Sequence, residues 1–173
     1  MRLLLPVILI LLLNSCSEMK PEDYKNTKPI IKIEEYFQGN VKAWGILQGR
    51  SGEVKRQFVA DMKGEFDGQN LILDETFIWN DGEKQERRWT IKKVGDNKYE
   101  GTAPDVAGVA KGVSFGSAFK FEYKLLVPYK DKKIKIRFDD WIFKQDEKVA
   151  INRATMTKFG IKVAELTVLF QKN

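Results

Sequence analysis

The stretch "FKFEYKLLVPYKDKKIKIRFDDW", residues 119–141, decides the fold. Phe119, Phe121, Tyr123, Leu125 and Val127 share one parity, and Lys120, Glu122 and Lys124 take the other. After Lys130-Asp131-Lys132 the pattern resumes, with Ile134, Ile136 and Phe138 set against Lys135, Arg137 and Asp139. Successive strand side chains point to opposite faces of a sheet, so a period of two marks a strand with one buried face. The stretch therefore predicts two antiparallel strands joined by a turn.

The same pattern spreads outward. "VKRQFVADM" (54–62) groups Phe58, Ala60 and Met62, and "VAELTVLF" (163–170) groups Ala164, Leu166, Val168 and Phe170. Turn signals recur at Arg50-Ser51-Gly52, Asp67-Gly68, Asn80-Asp81-Gly82 and Gly95-Asp96-Asn97. Short, fairly even spacing predicts an all-β meander: an antiparallel lipocalin-like β-barrel, or a strongly curved sheet that wraps part-way. One segment differs. "GTAPDVAGVAKGVSFGSAF" (101–119) is punctuated by Gly101, Gly108, Gly112 and Gly116. Glycines in strands mark bends or close approaches. A phosphate loop is excluded, since no GxxxxGK[ST] pattern is present.

The N-terminus reads differently again. Arg2 precedes an apolar run, Leu3 to Leu13, broken only by Pro6. It is too short for a bilayer-spanning helix, which needs about 20 residues, and has the length of a secretory h-region. Leu13-Asn14-Ser15-Cys16 resembles the bacterial lipobox, whose cysteine is acylated and becomes the first residue after cleavage. Residues 1–15 are thus expected to be a lipoprotein signal peptide and Cys16, the only cysteine of the chain, its lipidation site. Stable anchoring takes more than one acyl chain, and the lipoprotein cysteine carries palmitate-type chains together with diacylglycerol. Ser17 stands where an Asp would signal inner-membrane retention, which points to the outer membrane, facing the periplasm. Residues 16–35, with Pro21 and Pro29, read as a flexible tether, and 36–173 as one barrel-like domain.

Composition excludes much chemistry. The chain has no His, so Ser-His-Asp, Cys-His and His-ligated metal sites are ruled out. No metal, cofactor or catalytic residue is assigned. The net charge of +6 and pI of about 9.3 suit anionic lipid better than nucleic acid in an exported chain. Two carboxylates break the alternation. Asp140 shares parity with Ile134, Ile136 and Phe138, and Glu75 with Leu71, Leu73, Phe77 and Trp79. A buried carboxylate needs a partner, and Arg153 or Lys158 is the candidate cation. The competing reading is a β-bulge at Asp139-Asp140 that sends both carboxylates to a rim and turns Trp141 inward.

Several segments together resemble the bacterial lipoprotein family known as domain of unknown function 3833: "AWGILQGRSGEVKRQF", "GEFDGQNLILDETFIWNDGEKQERRW", "YEGTAPDVAGVAKG" and "FDDWIFKQDEKVAINRATMTKFG". The likeness runs from about Tyr36 to Lys172. Ser117 departs from the Asn that usually follows Gly116 in the family. The resemblance implies a lipid-anchored envelope protein and assigns no activity. The residues leave two readings open. In one, Phe119, Phe121, Tyr123, Ile134, Ile136 and Phe138 line a barrel interior that holds a lipid or fatty-acyl chain. In the other, the same aromatics fill a core and the domain docks an envelope protein partner.

Overall fold

The computed structural model describes residues 19–173; the leader and Cys16 lie outside the described residues. Among the described residues, ten strands close into one antiparallel barrel. They are β1 (Gly39–Gly49), β2 (Val54–Phe66), β3 (Asn70–Trp79), β4 (Lys84–Lys93) and β5 (Lys98–Thr102), followed by β6 (Ala110–Phe115), β7 (Ala118–Tyr129), β8 (Lys132–Lys144), β9 (Val149–Lys158) and β10 (Ile161–Lys172). Each pairs with its neighbours in sequence, and β10 returns to β1, with Ala43 opposite Phe170 and Val41 opposite Lys172. The sheet closes fully, which removes the exposed edges of a curved sheet. All ten strands of the closed barrel pair within residues 19–173.

The opening stretch forms β7 and β8 as its alternation requires. Tyr123 faces Phe138, Leu125 faces Ile136 and Phe121 faces Asp140. The register of β8 runs without a shift against both neighbours, so there is no bulge at Asp139-Asp140. Asp140 points into the barrel. Trp141 points outward, where it is buried beneath Tyr24 and beside Phe143.

The glycine-rich segment serves close approach. A Cβ on Gly101 would lie 2.6 Å from the Phe121 ring, and one on Gly112 would lie 2.8 Å from the Phe119 ring. Bare backbone on β5 and β6 makes room for the two large rings of β7.

One end of the barrel is closed by the segment before β1. It carries a 3₁₀ turn (Pro21–Tyr24) and a single helical turn, α1 (Ile33–Tyr36). The tether reading fails here. Ile31 and Ile33 are among the most deeply buried residues of the protein, and Phe37 joins them in the core. Ser114 Oγ donates to the Ile31 carbonyl at 2.7 Å, and the Tyr36 hydroxyl donates to the Phe170 carbonyl at 3.2 Å. Buried Glu34 accepts from Lys93 Nζ at 2.8 Å and from the Tyr99 hydroxyl at 2.9 Å. Two isoleucines, an aromatic pair and a satisfied carboxylate outweigh the polar composition around them. At the other end the strand hairpins project freely, and Phe159 at the β9–β10 turn is 92% exposed.

Candidate functional site

The barrel encloses a cavity of about 470 Å³. Ile33 and Phe37 form its floor, Trp89, Phe119 and Phe121 wall its lower part, and Phe58 stands higher, opposite Trp79. Leu47, Arg56, Trp79, Glu83 and Pro128 surround the mouth. Most of the wall is apolar, as strand parity dictates.

Midway up sits a polar cluster. Glu75 on β3 and Arg87 on β4 are direct cross-strand partners, with Arg87 Nη1 3.6 Å from Glu75 Oε2. Arg87 also donates through Nε and Nη2 to Asp105 Oδ2, at 3.0 and 2.9 Å. Asp105 comes from the loop between β5 and β6. That loop is pinned to β7 by Leu126 N–H donating to the Asp105 carbonyl and Ala107 N–H to the Lys124 carbonyl, each at 2.8 Å. Across the cavity the Tyr123 hydroxyl donates to Asp140 Oδ2 at 2.8 Å. Arg87 lies 5.7 Å from the centre of the Phe77 ring, within cation–π range.

Burial raises the Glu75 carboxyl to about 7, against the pull of Arg87 and the Trp89 indole. Burial likewise pushes Asp140 to about 7, although the Tyr123 hydrogen bond and Arg87 favour its charged form. The Tyr123 hydroxyl is driven well up, by burial first and by Asp140 second. Burial alone would lower Arg87, but Glu75 and Asp105 outweigh it and hold the guanidinium charged. Of the buried side-chain atoms without a hydrogen-bond partner, three belong to residues of the cavity wall: Glu75 Oε2, Asp140 Oδ1 and, at the mouth, Arg56 Nε. Arg87 forms an ion pair with Glu75 Oε2 at 3.6 Å, longer than a hydrogen bond. Among the described residues no group of His, Cys, Asp or Glu is placed to hold a metal ion.

The residues singled out from sequence fall in three places. Phe119, Phe121, Tyr123 and Phe138 line the cavity, and Glu75 and Asp140 face it. Ile134 and Ile136 do not line it. They pack with Leu125 and Ala154 in a satellite cluster nearer the open end. Neither expected cation reaches Asp140. Arg153 sits opposite Trp141, on the outward parity, and its side chain is 69% exposed and paired with Glu165. Lys158 ends β9 and lies over the Phe159 ring. The buried cation is Arg87 instead. Its signal was present in "KQERRWTI", where Gln85, Arg87, Trp89 and Ile91 share a parity. The Asn80-Asp81-Gly82 turn also sets Arg87 opposite Glu75. The doublet Arg87-Arg88 masks this, because a pair of arginines reads as solvated.

The chain belongs to the DUF3833 family of proteins of unknown function, whose model matches residues 10–172. No curated protein matches it in sequence. Its fold is similar to that of an S-type phycobiliprotein lyase from Guillardia theta, with a TM-score of 0.57 at 8% identity, over 90% of this chain and 99% of the other. It is also similar to a DUF3598-family protein of unknown function from Nostoc punctiforme, with a TM-score of 0.62 at 12% identity. That match covers 84% of this chain and about half, 51%, of the other. The architecture is that of a lipocalin-like barrel.

Proposed function

We propose that this protein is a lipid-anchored protein of the bacterial envelope that holds an apolar ligand, a lipid or fatty-acyl chain, inside its barrel. Cys16 carries the anchor, and the barrel faces the periplasm from the outer membrane. The observation that carries the ligand-binding reading is the cavity. At about 470 Å³ it lies in the size range of small-molecule sites, and it combines an apolar wall with a few convergent polar groups. A structural domain that only docks a partner has no use for such a space. Packing it with side chains would add stability, since each unfilled volume in a core forfeits dispersion contacts. The lipobox-like Leu13-Asn14-Ser15-Cys16 supports the anchor, and an exported compartment makes lipids the abundant apolar ligands.

Native mass spectrometry of purified residues 19–173 tests the reading. The expected result is an adduct of lipid mass that solvent extraction removes and added lipid restores. A bare protein that also takes up no apolar fluorescent probe would overturn it.

A further inference from the structure

We propose that Glu75 and Asp140 recognise a hydrogen-bond donor on the bound molecule, a hydroxyl or a protonated amine, and that the cavity rejects chains ending in a carboxylate or phosphate. The inference rests on the ligand-binding reading above and specifies the ligand's polar group.

The argument begins with the cation. An interior arginine would ordinarily suit an anionic head group, but Arg87 is already committed. Asp105 takes its Nε and Nη2, and Glu75 stands beside its Nη1. The other arginine of the cavity wall, Arg56, stands at the mouth, where Asp81 at 2.7 Å and Glu83 at 2.8 Å both hold its Nη2 and the centre of the Trp79 ring lies 4.1 Å from its guanidinium carbon. Its Nε is buried without a hydrogen-bond partner, at the rim rather than in the polar cluster. An arriving carboxylate that took Arg87 would leave Glu75 without its cation in an apolar enclosure.

The acceptors show the opposite condition. Glu75 Oε2 and Asp140 Oδ1 are buried without a hydrogen-bond partner, and both residues line the cavity. Glu75 as a whole is 8% exposed. Asp140 is fixed in direction, because Tyr123 holds its Oδ2 and leaves Oδ1 free. Buried polar atoms are normally hydrogen-bonded; Glu75 Oε2 has only the Arg87 ion pair at 3.6 Å and Asp140 Oδ1 no hydrogen-bond donor, so both can accept from a group that enters the cavity. Charge points the same way. Glu75, Asp105 and Asp140 outnumber Arg87 within the cluster, so an added anion deepens the imbalance and an ammonium relieves it. A hydroxyl is served equally well, since a neutral carboxyl can accept from it or donate to it. Burial, the first cause of the raised proton affinity of both carboxyls, also makes a neutral carboxyl available to pair with a hydroxyl.

The test uses delipidated residues 19–173 loaded with the neutral probe N-phenyl-1-naphthylamine. Hexadecanol, hexadecylamine and palmitate, matched in chain length, compete for the site at neutral pH. The alcohol and the amine should displace the probe at concentrations at least roughly tenfold below palmitate, the scale set by unpaired buried polar groups. Comparing the two separates a hydroxyl from an ammonium as the preferred donor. Glu75→Gln and Asp140→Asn, with folding verified by circular dichroism, should narrow the gap, while Arg153→Gln on the outer face should preserve it. Palmitate binding as tightly as the alcohol and amine would overturn the inference and leave ligand binding intact. So would a preference that survives both variants. Failure of every chain and of the probe to enter would overturn both readings together.

Discussion

Glu75→Gln should remove much of the pH dependence of stability between about pH 5 and 8. Burial raises the folded-state carboxyl from 4.5 to about 7. Between those values the folded protein binds a proton that the unfolded chain has released. The slope of unfolding free energy with pH follows protons bound in the unfolded state minus those in the native state, so here it is negative. Stability is highest below the unfolded value and is lost as pH rises through the folded one. At 1.36 kcal/mol per unit, Glu75 alone accounts for about 3 kcal/mol across the window. For a domain of this size that is about 10 °C in Tm. Asp140, moved from 3.8 to about 7, adds a loss of the same sign. The two are coupled, since each charge raises the other, so their sum is an upper bound. Carboxylates held low, such as Glu34 beside Lys93, act below this window and with opposite sign. Glutamine mimics the neutral carboxyl and has nothing to titrate. Thermal melts of delipidated wild type and variant, at half-unit steps across the window, make the comparison. A wild-type Tm that is flat there, or a variant slope equal to the wild-type slope, would refute the burial argument.

Three other outcomes are expected. Arg87→Ala leaves Glu75 and Asp105 without their cation and should cost about 3–5 kcal/mol in chemical denaturation. The loss should be smaller at pH 5, where Glu75 is neutral, than at pH 8. Phe121→Ala should cost about 3–5 kcal/mol, because the ring, although it walls the cavity, is packed on Trp89, Phe119 and Tyr123. A melt within a degree or two of wild type would show that this wall is loose. Cys16→Ser should abolish metabolic labelling with a palmitate analogue, and equal labelling of variant and wild type would rule out the anchor.

The strands were legible because one face of each is apolar and the other charged; β7 and β8 follow residue by residue from "FKFEYKLLV" and "KIKIRFDDW". Glu75 and Asp140 were legible for the same reason, as carboxylates on the wrong parity. Their surroundings were not. Parity says that a residue points inward but not what it meets across the barrel, so Tyr123 as the partner of Asp140 needed the β7–β8 register. Asp105 lies in a loop, where no period constrains direction. Ile134 and Ile136 point inward as expected but are covered by packing with Leu125, Val127 and Ala154, and parity does not say whether an inward side chain meets a cavity or a neighbour. The segment before β1 misled through composition. Its lysines and prolines dominate a count, while the few residues that bind it, Ile31, Ile33 and Tyr36, are conspicuous only once the barrel end is there to receive them.

The seam between β1 and β10 governs how this chain can acquire its shape. Val41 must find Lys172, and Ala43 must find Phe170, so the first strand waits for nearly the whole polypeptide before its second ladder can form. Every other ladder is a local hairpin that can zip within a few residues of its turn. Assembly can therefore run quickly through nine local ladders and then stall at one distant pairing, whose loop-closure entropy places it among the slow, non-local topologies. Until then both flanks, β1 and β10, present unpaired backbone to any neighbouring strand. A chain that ends early loses two ladders, not one. The last dozen residues decide whether a nascent molecule becomes a closed vessel or a template for aggregation.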